Sequence, residues 1–147
     1  MLRRAKQVAD SIQRADNVHV VTHIDADGIT AGAIASAALE RLKKPYSIEA
    51  VKQLDDDVLL SLEAKNYDLV WFTDLGSSIS NSWKHQKIIT DHHECPDKAD
   101  HPYHLNPHLF DVDGSVDISG AGVTYLVAKA LDQKNIDLAG LAIVKGL

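Results

Sequence analysis

The sequence predicts an α/β fold, a three-layer sandwich on a mainly parallel sheet of about five strands. Three observations carry the prediction. Short β-branched or apolar runs alternate with longer stretches of helical periodicity along the 147 residues, which is the pattern of successive βαβ units. Residues 67–73 form a nearly continuous apolar run, as expected of a strand covered on both faces. Polar turns rich in aspartate and histidine follow three of the expected strands, where the carboxyl edge of a parallel sheet presents its loops.

Each element has its own signal. Residues 2–15 place Leu2, Ala5, Val8, Ala9 and Ile12 on one helical face. Residues 17–22 are a β-branched run, read as a buried strand. The Ala-rich stretch 29–43 reads as helix, and 46–51 as a second strand. Asp55, Asp56 and Asp57 suit the positive end of a helix dipole and open a helix running to about Lys65. Residues 67–73 and 86–90 read as the third and fourth strands, and an extended piece at 103–106 as a fifth. A helix from about Gly120 to Gln133 carries Val123, Leu126, Val127, Ala130 and Leu131 at helical spacing, and a last helix is expected to start near Asp137. Residues 141–147 read as the beginning of another buried element. The expectation is one domain over 1–147, cut from a longer protein.

Composition narrows the function classes. Apolar residues make up 45% and charged residues 24%, an ordinary globular balance. No run approaches the ~20 apolar residues that span a bilayer, and the basic start, Arg3, Arg4 and Lys6, lacks the apolar stretch of a signal peptide. No membrane partner is therefore expected. Cys95 is the only cysteine, so no internal disulfide can form; a reducing, cytoplasmic setting is the expectation. A formal charge of −6 argues against an electrostatic coat for nucleic acid. Of the eight histidines, five lie between His92 and His108, and histidines beside carboxylates point to metal or proton chemistry.

The chemistry-bearing residues fall at three strand ends. Asp25 and Asp27 follow the first strand at i, i+2 spacing, so a turn can aim both at one point; Gly28 is read as the residue that permits the turn. Asp74 ends the third strand. Asp91-His92-His93 ends the fourth, where one imidazole can take a metal and the other a substrate while Asp91 supports a ring N–H. Each segment alone also reads as a polar turn or helix cap. Three acidic clusters on one rim would repel one another, and a pair of divalent cations resolves that repulsion and lowers the pKa of a bound water. Ser119-Gly120-Ala121-Gly122 opens a helix whose Gly120, Ala121 and Gly122 amides could receive a phosphate, or simply make a tight turn. His101, His104 and His108 have zinc-like spacing, but Pro102 and Pro107 prevent a helix from aligning them. Trp71 and Trp83 read as packing.

Val20 to Gly28, then Phe72-Thr73-Asp74, then Thr90 to His93 resemble motifs I, II and III of the DHH phosphoesterases, in order. Leu105-Asn106-Pro107-His108 and Ile118 to Tyr125 are similar to the RecJ branch, in particular its archaeal members. The resemblance covers roughly residues 17 to 130. It implies Asp25, Asp27, Asp74 and His92 as ligands of two Mn²⁺ or Mg²⁺ ions, with Asp74 bridging. It implies His93 on the scissile phosphate, Asp91 as a metal ligand or a ligand's support, and His23 where RecJ-like members often carry an acid. The implied reaction is hydrolysis of single-stranded DNA or RNA from the 5′ end. Short-oligonucleotide or cyclic-dinucleotide hydrolysis, or a weakly active scaffold in a replication complex with a GINS-type partner, are the alternatives. The family's fourth acidic motif and its second, strand-gripping domain have no counterpart in the sequence. A homo-oligomer is also open.

Overall fold

In the computed structural model, which describes residues 1–79, 83–95 and 101–143, the strands are β1 (Val18–His23), β2 (Tyr46–Val51), β3 (Leu69–Thr73), β4 (Lys87–Thr90) and β5 (His104–Leu105). They form one sheet in the order β2-β1-β3-β4-β5, every pair parallel. The helices are α1 (Leu2–Arg14), α2 (Ala26–Arg41), α3 (Asp56–Glu63), α4 (Gly120–Leu131) and the short α5 (Ala139–Ala142).

Strand periodicity sorts the core into two layers. Val18 and Val20 of β1, Leu69 and Trp71 of β3, and Ile88 of β4 pack with α1, α2 and α4. The alternate residues Val21, Val70, Phe72 and Ile89 face the other way, against Leu62 of α3, Leu75 and Trp83. Right-handed crossovers explain the split. The chain steps outward from β1 to β2 through α2, then returns past β1 to β3 through α3, so α3 must cover the opposite face. Trp71 and Trp83 are both buried, as packing residues. A buried polar seam ties α4 to the sheet: the Trp71 indole donates to Thr90 Oγ1 at 3.0 Å, and Thr90 and Thr124 share a hydroxyl hydrogen bond of 2.9 Å.

Two consequences bear on the site. The strand order reverses between β1 and β3, which makes a crevice beyond their carboxyl ends, the usual ligand position in such sheets. Asp25 and Asp74 lie on either side of it. The helix after β1 also begins at Ala26 rather than Ile29, because Asp25 caps it by accepting the Gly28 amide at 2.8 Å. Gly28 does not adopt a positive φ. A side chain there would sit 2.3 Å from the His23 carbonyl oxygen, so close approach, not turn geometry, requires the glycine.

The carboxyl-terminal part differs from expectation. The fifth strand shrinks to His104–Leu105 and passes through Asn106 into a 3₁₀ turn at Pro107–Phe110. The last helix, expected to start near Asp137, starts at Ala139, after a 3₁₀ turn at Gln133–Leu138. The turn is fixed by Asn135 donating to the Ala128 carbonyl at 2.7 Å and by the Arg41 guanidinium gripping Asp137. Leu141 and Ile143, expected to begin a buried element, are exposed; residues 144–147 lie outside the described residues. Among those described, no helix is long and apolar enough to cross a membrane.

Candidate metal centre

Asp74 is the centre of the rim. It follows β3 in the left-handed region, φ 61°, and is 1% exposed. Neither carboxylate oxygen makes an aligned hydrogen bond within the chain; His92 Nε2 stands 3.2 Å from Oδ1 as an ion-pair contact. Burial pushes the Asp74 pKa up to about 6, with the charges of Asp27 and Asp91 adding to the rise and His92 opposing it. A buried carboxylate without an aligned hydrogen bond is costly, and its presence asks for a cation.

Two groups of donors converge on it. His23, Asp25 and Asp74 bring one ligand atom each within 4.8 Å of one another, and so do Asp74, His92 and His93. Asp74 belongs to both groups. On the first side, His23 Nε2 lies 3.0 Å from the Lys52 carbonyl and so carries the ring proton. Its Nδ1 lone pair is then left 2.9 Å from Asp25 Oδ2 without an aligned hydrogen bond. Two acceptor atoms facing each other at that distance repel unless a cation lies between them. Burial raises the Asp25 pKa, but the Gly28 amide, and the positive charge that a proton or cation at His23 Nδ1 supplies, outweigh it and hold the carboxyl below its ordinary range.

The second side repeats the logic. His92 Nδ1 donates to the Gly114 carbonyl at 2.7 Å, which aims Nε2 at Asp74 Oδ1, 3.2 Å away, and Asp27 Oδ2, 3.4 Å away. The Asp74 carboxylate beside Nε2 lifts the His92 pKa to about 9 against the opposing effect of burial. A proton therefore stands where a divalent ion would take the same nitrogen.

Asp91 is buried and organises its neighbours. Burial disfavours its charge. The His93 imidazole at 2.7 Å and the amides of Ser77 at 3.0 Å and His92 at 2.8 Å more than offset this and hold the carboxyl well below its usual range. His93 in turn is raised by its bond to Asp91, with burial opposing. Its side chain remains 59% exposed and lines the cleft together with His23, Lys52, Ser77, Ser78 and Glu94 among others.

Asp27 sits differently from its partners. Its two oxygens accept the amides of Gly120 and Ala121, each at 2.9 Å, so it locks the first turn of α4 against the rim. The Gly122 amide donates to Ser119 Oγ at 3.2 Å. The three amides expected to receive a phosphate are thus all used within the chain, and the positive end of α4 holds a carboxylate. Asp27 keeps a lone pair on Oδ2 facing His92. His101, His104 and His108 form no metal-sized group among the described residues; His104 Nε2 instead meets Ser77 Oγ at 3.1 Å. Sequence reasoning missed Gly114 and Lys52, which act through backbone carbonyls and so leave no side-chain signature.

Oxygen and imidazole donors of this kind fit a borderline or hard divalent ion, and the orphaned Asp74 oxygens make the fit specific. The fold is similar to that of solved RecJ exonucleases. One, bound to manganese, matches with a TM-score of 0.78 at 24% identity over 96% of this chain and 41% of that chain. RecJ of Thermus thermophilus in complex with Mn²⁺ matches with a TM-score of 0.75 at 25% identity, over 96% of this chain and 23% of that one. An uncharacterized protein of Methanocaldococcus jannaschii is 38% identical over 137 residues, which cover 86% of this chain and 31% of that protein. The chain thus spans less than half the length of each of these proteins. Residues 17–144 match the model of the DHH family, N-terminal domain, and the chain belongs to that family.

Proposed function

We propose that this domain is the metal-binding catalytic part of a phosphodiester hydrolase, removing nucleotides from the 5′ end of single-stranded DNA or RNA in the manner of RecJ. The observation that carries the reading is Asp74: buried, without an aligned hydrogen bond, and shared by two donor groups. Asp25 and His23 would hold one ion with Asp74, and His92 and Asp27 a second. A bound pair of Mn²⁺ or Mg²⁺ ions supplies activated water and charge stabilisation for in-line displacement at phosphorus. The chain's own residues do the rest. Gly114 fixes which His92 nitrogen faces the rim, Asp91 orients His93, and the exposed His93 ring is placed to hold a phosphate oxygen in the cleft. Calorimetric titration with Mn²⁺ tests the site: about two ions for the wild type and loss of one or both for Asp74→Ala are expected. Absence of binding in the wild type would sink the reading. Assays with 5′-labelled single strands, short oligomers and cyclic dinucleotides then decide the substrate, and preference for a cyclic dinucleotide would overturn the exonuclease assignment.

A further inference from the structure

The loop after β3 and the loop after β4 both deliver groups to the rim, yet they belong to different strands and could drift apart. One residue joins them. Ser77 follows Gly76, whose φ of 113° turns the chain sharply just past Asp74. Its amide donates to Asp91 Oδ2 at 3.0 Å. Its hydroxyl accepts from Asn106 Nδ2 at 2.8 Å and lies 3.1 Å from His104 Nε2. Its carbonyl lies 3.8 Å from the Cys95 thiol.

Asn106 completes the connection. It is fully buried, and the same Nδ2 donates to the His93 carbonyl at 2.9 Å, while Oδ1 accepts the His108 amide at 3.0 Å. Asn106 lies just beyond β5, so β5 reaches under both metal-facing loops and ties each to the other. With the Asn106 amide donating to it, the Ser77 hydroxyl has its own proton left for His104 Nε2, and no polar atom of the junction is wasted.

We infer that Ser77 and Asn106 are positioning residues that hold the Asp91-His92-His93 loop in register with Asp74, so that the two donor groups share one carboxylate. This rests on the proposed metal site. Neither side chain touches the proposed ion positions; the Ser77 hydroxyl acts through Asn106, whose amide also holds the His93 carbonyl, while the Ser77 backbone amide holds Asp91, as outer partners of metal ligands do.

The test is Mn²⁺ titration by calorimetry on the wild type, Ser77→Ala, Ser77→Thr, Asn106→Ala and the Ser77→Ala/Asn106→Ala double variant, with circular dichroism of each metal-free protein. Ser77→Ala and Asn106→Ala should each weaken Mn²⁺ binding by about 10-fold or more, and Ser77→Thr, which keeps the hydroxyl, should stay within about twofold of wild type. The double variant should be no weaker than the weaker single variant, because both changes cut one connection. Wild-type affinity in Ser77→Ala, or a Thr variant as weak as the Ala variant, overturns the inference while leaving the metal site standing. A wild type that binds no Mn²⁺ overturns both. Should Ser77→Ala fail to fold, the Asn106→Ala affinity decides alone, and an undiminished value refutes the connection.

Discussion

Gly120→Ala is the sharpest probe of the centre. Gly120 is the first residue of α4, and a Cβ there would lie 2.1 Å from Asp74 Oδ1 and 2.7 Å from Asp74 Cβ. Relief requires a displacement of roughly 1 Å in a close-packed interior. The helix cannot easily retreat, because the Gly120 and Ala121 amides are bound to Asp27 at 2.9 Å. The carboxylate must therefore move, and metal sites tolerate distance errors of only about 0.2 Å. Overpacking of this kind costs about 1–3 kcal/mol of stability, and Mn²⁺ affinity should fall by about 100-fold. Calorimetry with Mn²⁺ and thermal unfolding of the metal-free protein read the two effects separately. Gly140→Ala is the control, since nothing lies within 4 Å of its would-be Cβ, and it should leave both unchanged or raise stability by about 0.5 kcal/mol. Gly120→Ala with wild-type affinity and stability would refute the argument that close packing of α4 sets the position of Asp74.

Other outcomes follow from the same geometry. Calorimetry at pH 7 in buffers of different ionisation enthalpy should show about one proton released on Mn²⁺ binding, because His92, with its pKa near 9, gives up the proton on Nε2; zero release would remove Nε2 as the ligand atom. Burial holds the His104 pKa down to about 4, below its unfolded value of 6.5, so the unfolded chain binds the extra proton between those pH values. That contribution to stability, about 3 kcal/mol, is complete above pH 6.5 and is lost as pH falls toward 4; the difference between the urea-unfolding curves of wild type and His104→Gln across this range measures it. Thr124→Val should cost about 1 kcal/mol by removing the bond to Thr90 while leaving Mn²⁺ affinity intact, a combination checked by the same two measurements.

Much of this was legible in the sequence because parallel sheets obey strong rules. Asp25, Asp74 and Asp91 each stand just past an apolar run, and the rule that loops at strand carboxyl ends form the site brings them together without any coordinate. The start of α2 was not legible, because Asp25-Ala26-Asp27-Gly28 satisfies turn and cap chemistry equally well; only the proximity of the His23 carbonyl to Gly28 decides between them. The partner of Asp27 was hidden for a different reason. Its carboxylate meets amides more than ninety positions later in the chain, and a backbone N–H is the same at every residue. The Gly114 carbonyl behind His92 is concealed in the same way. The fifth strand was expected, but its early end was not, because that end is set by Asn106, whose side chain serves two other loops rather than extending the ladder.

The backbone of Asp74 carries a further meaning. A non-glycine residue in the left-handed region, with a carboxylate sealed from water, is a position where the fold works against its own preferences. Selection for folding alone would discard it. Asp74→Gly should accordingly raise the melting temperature of the metal-free protein as it abolishes ion binding, so the aspartate measures how much robustness the domain has surrendered in exchange for its chemistry.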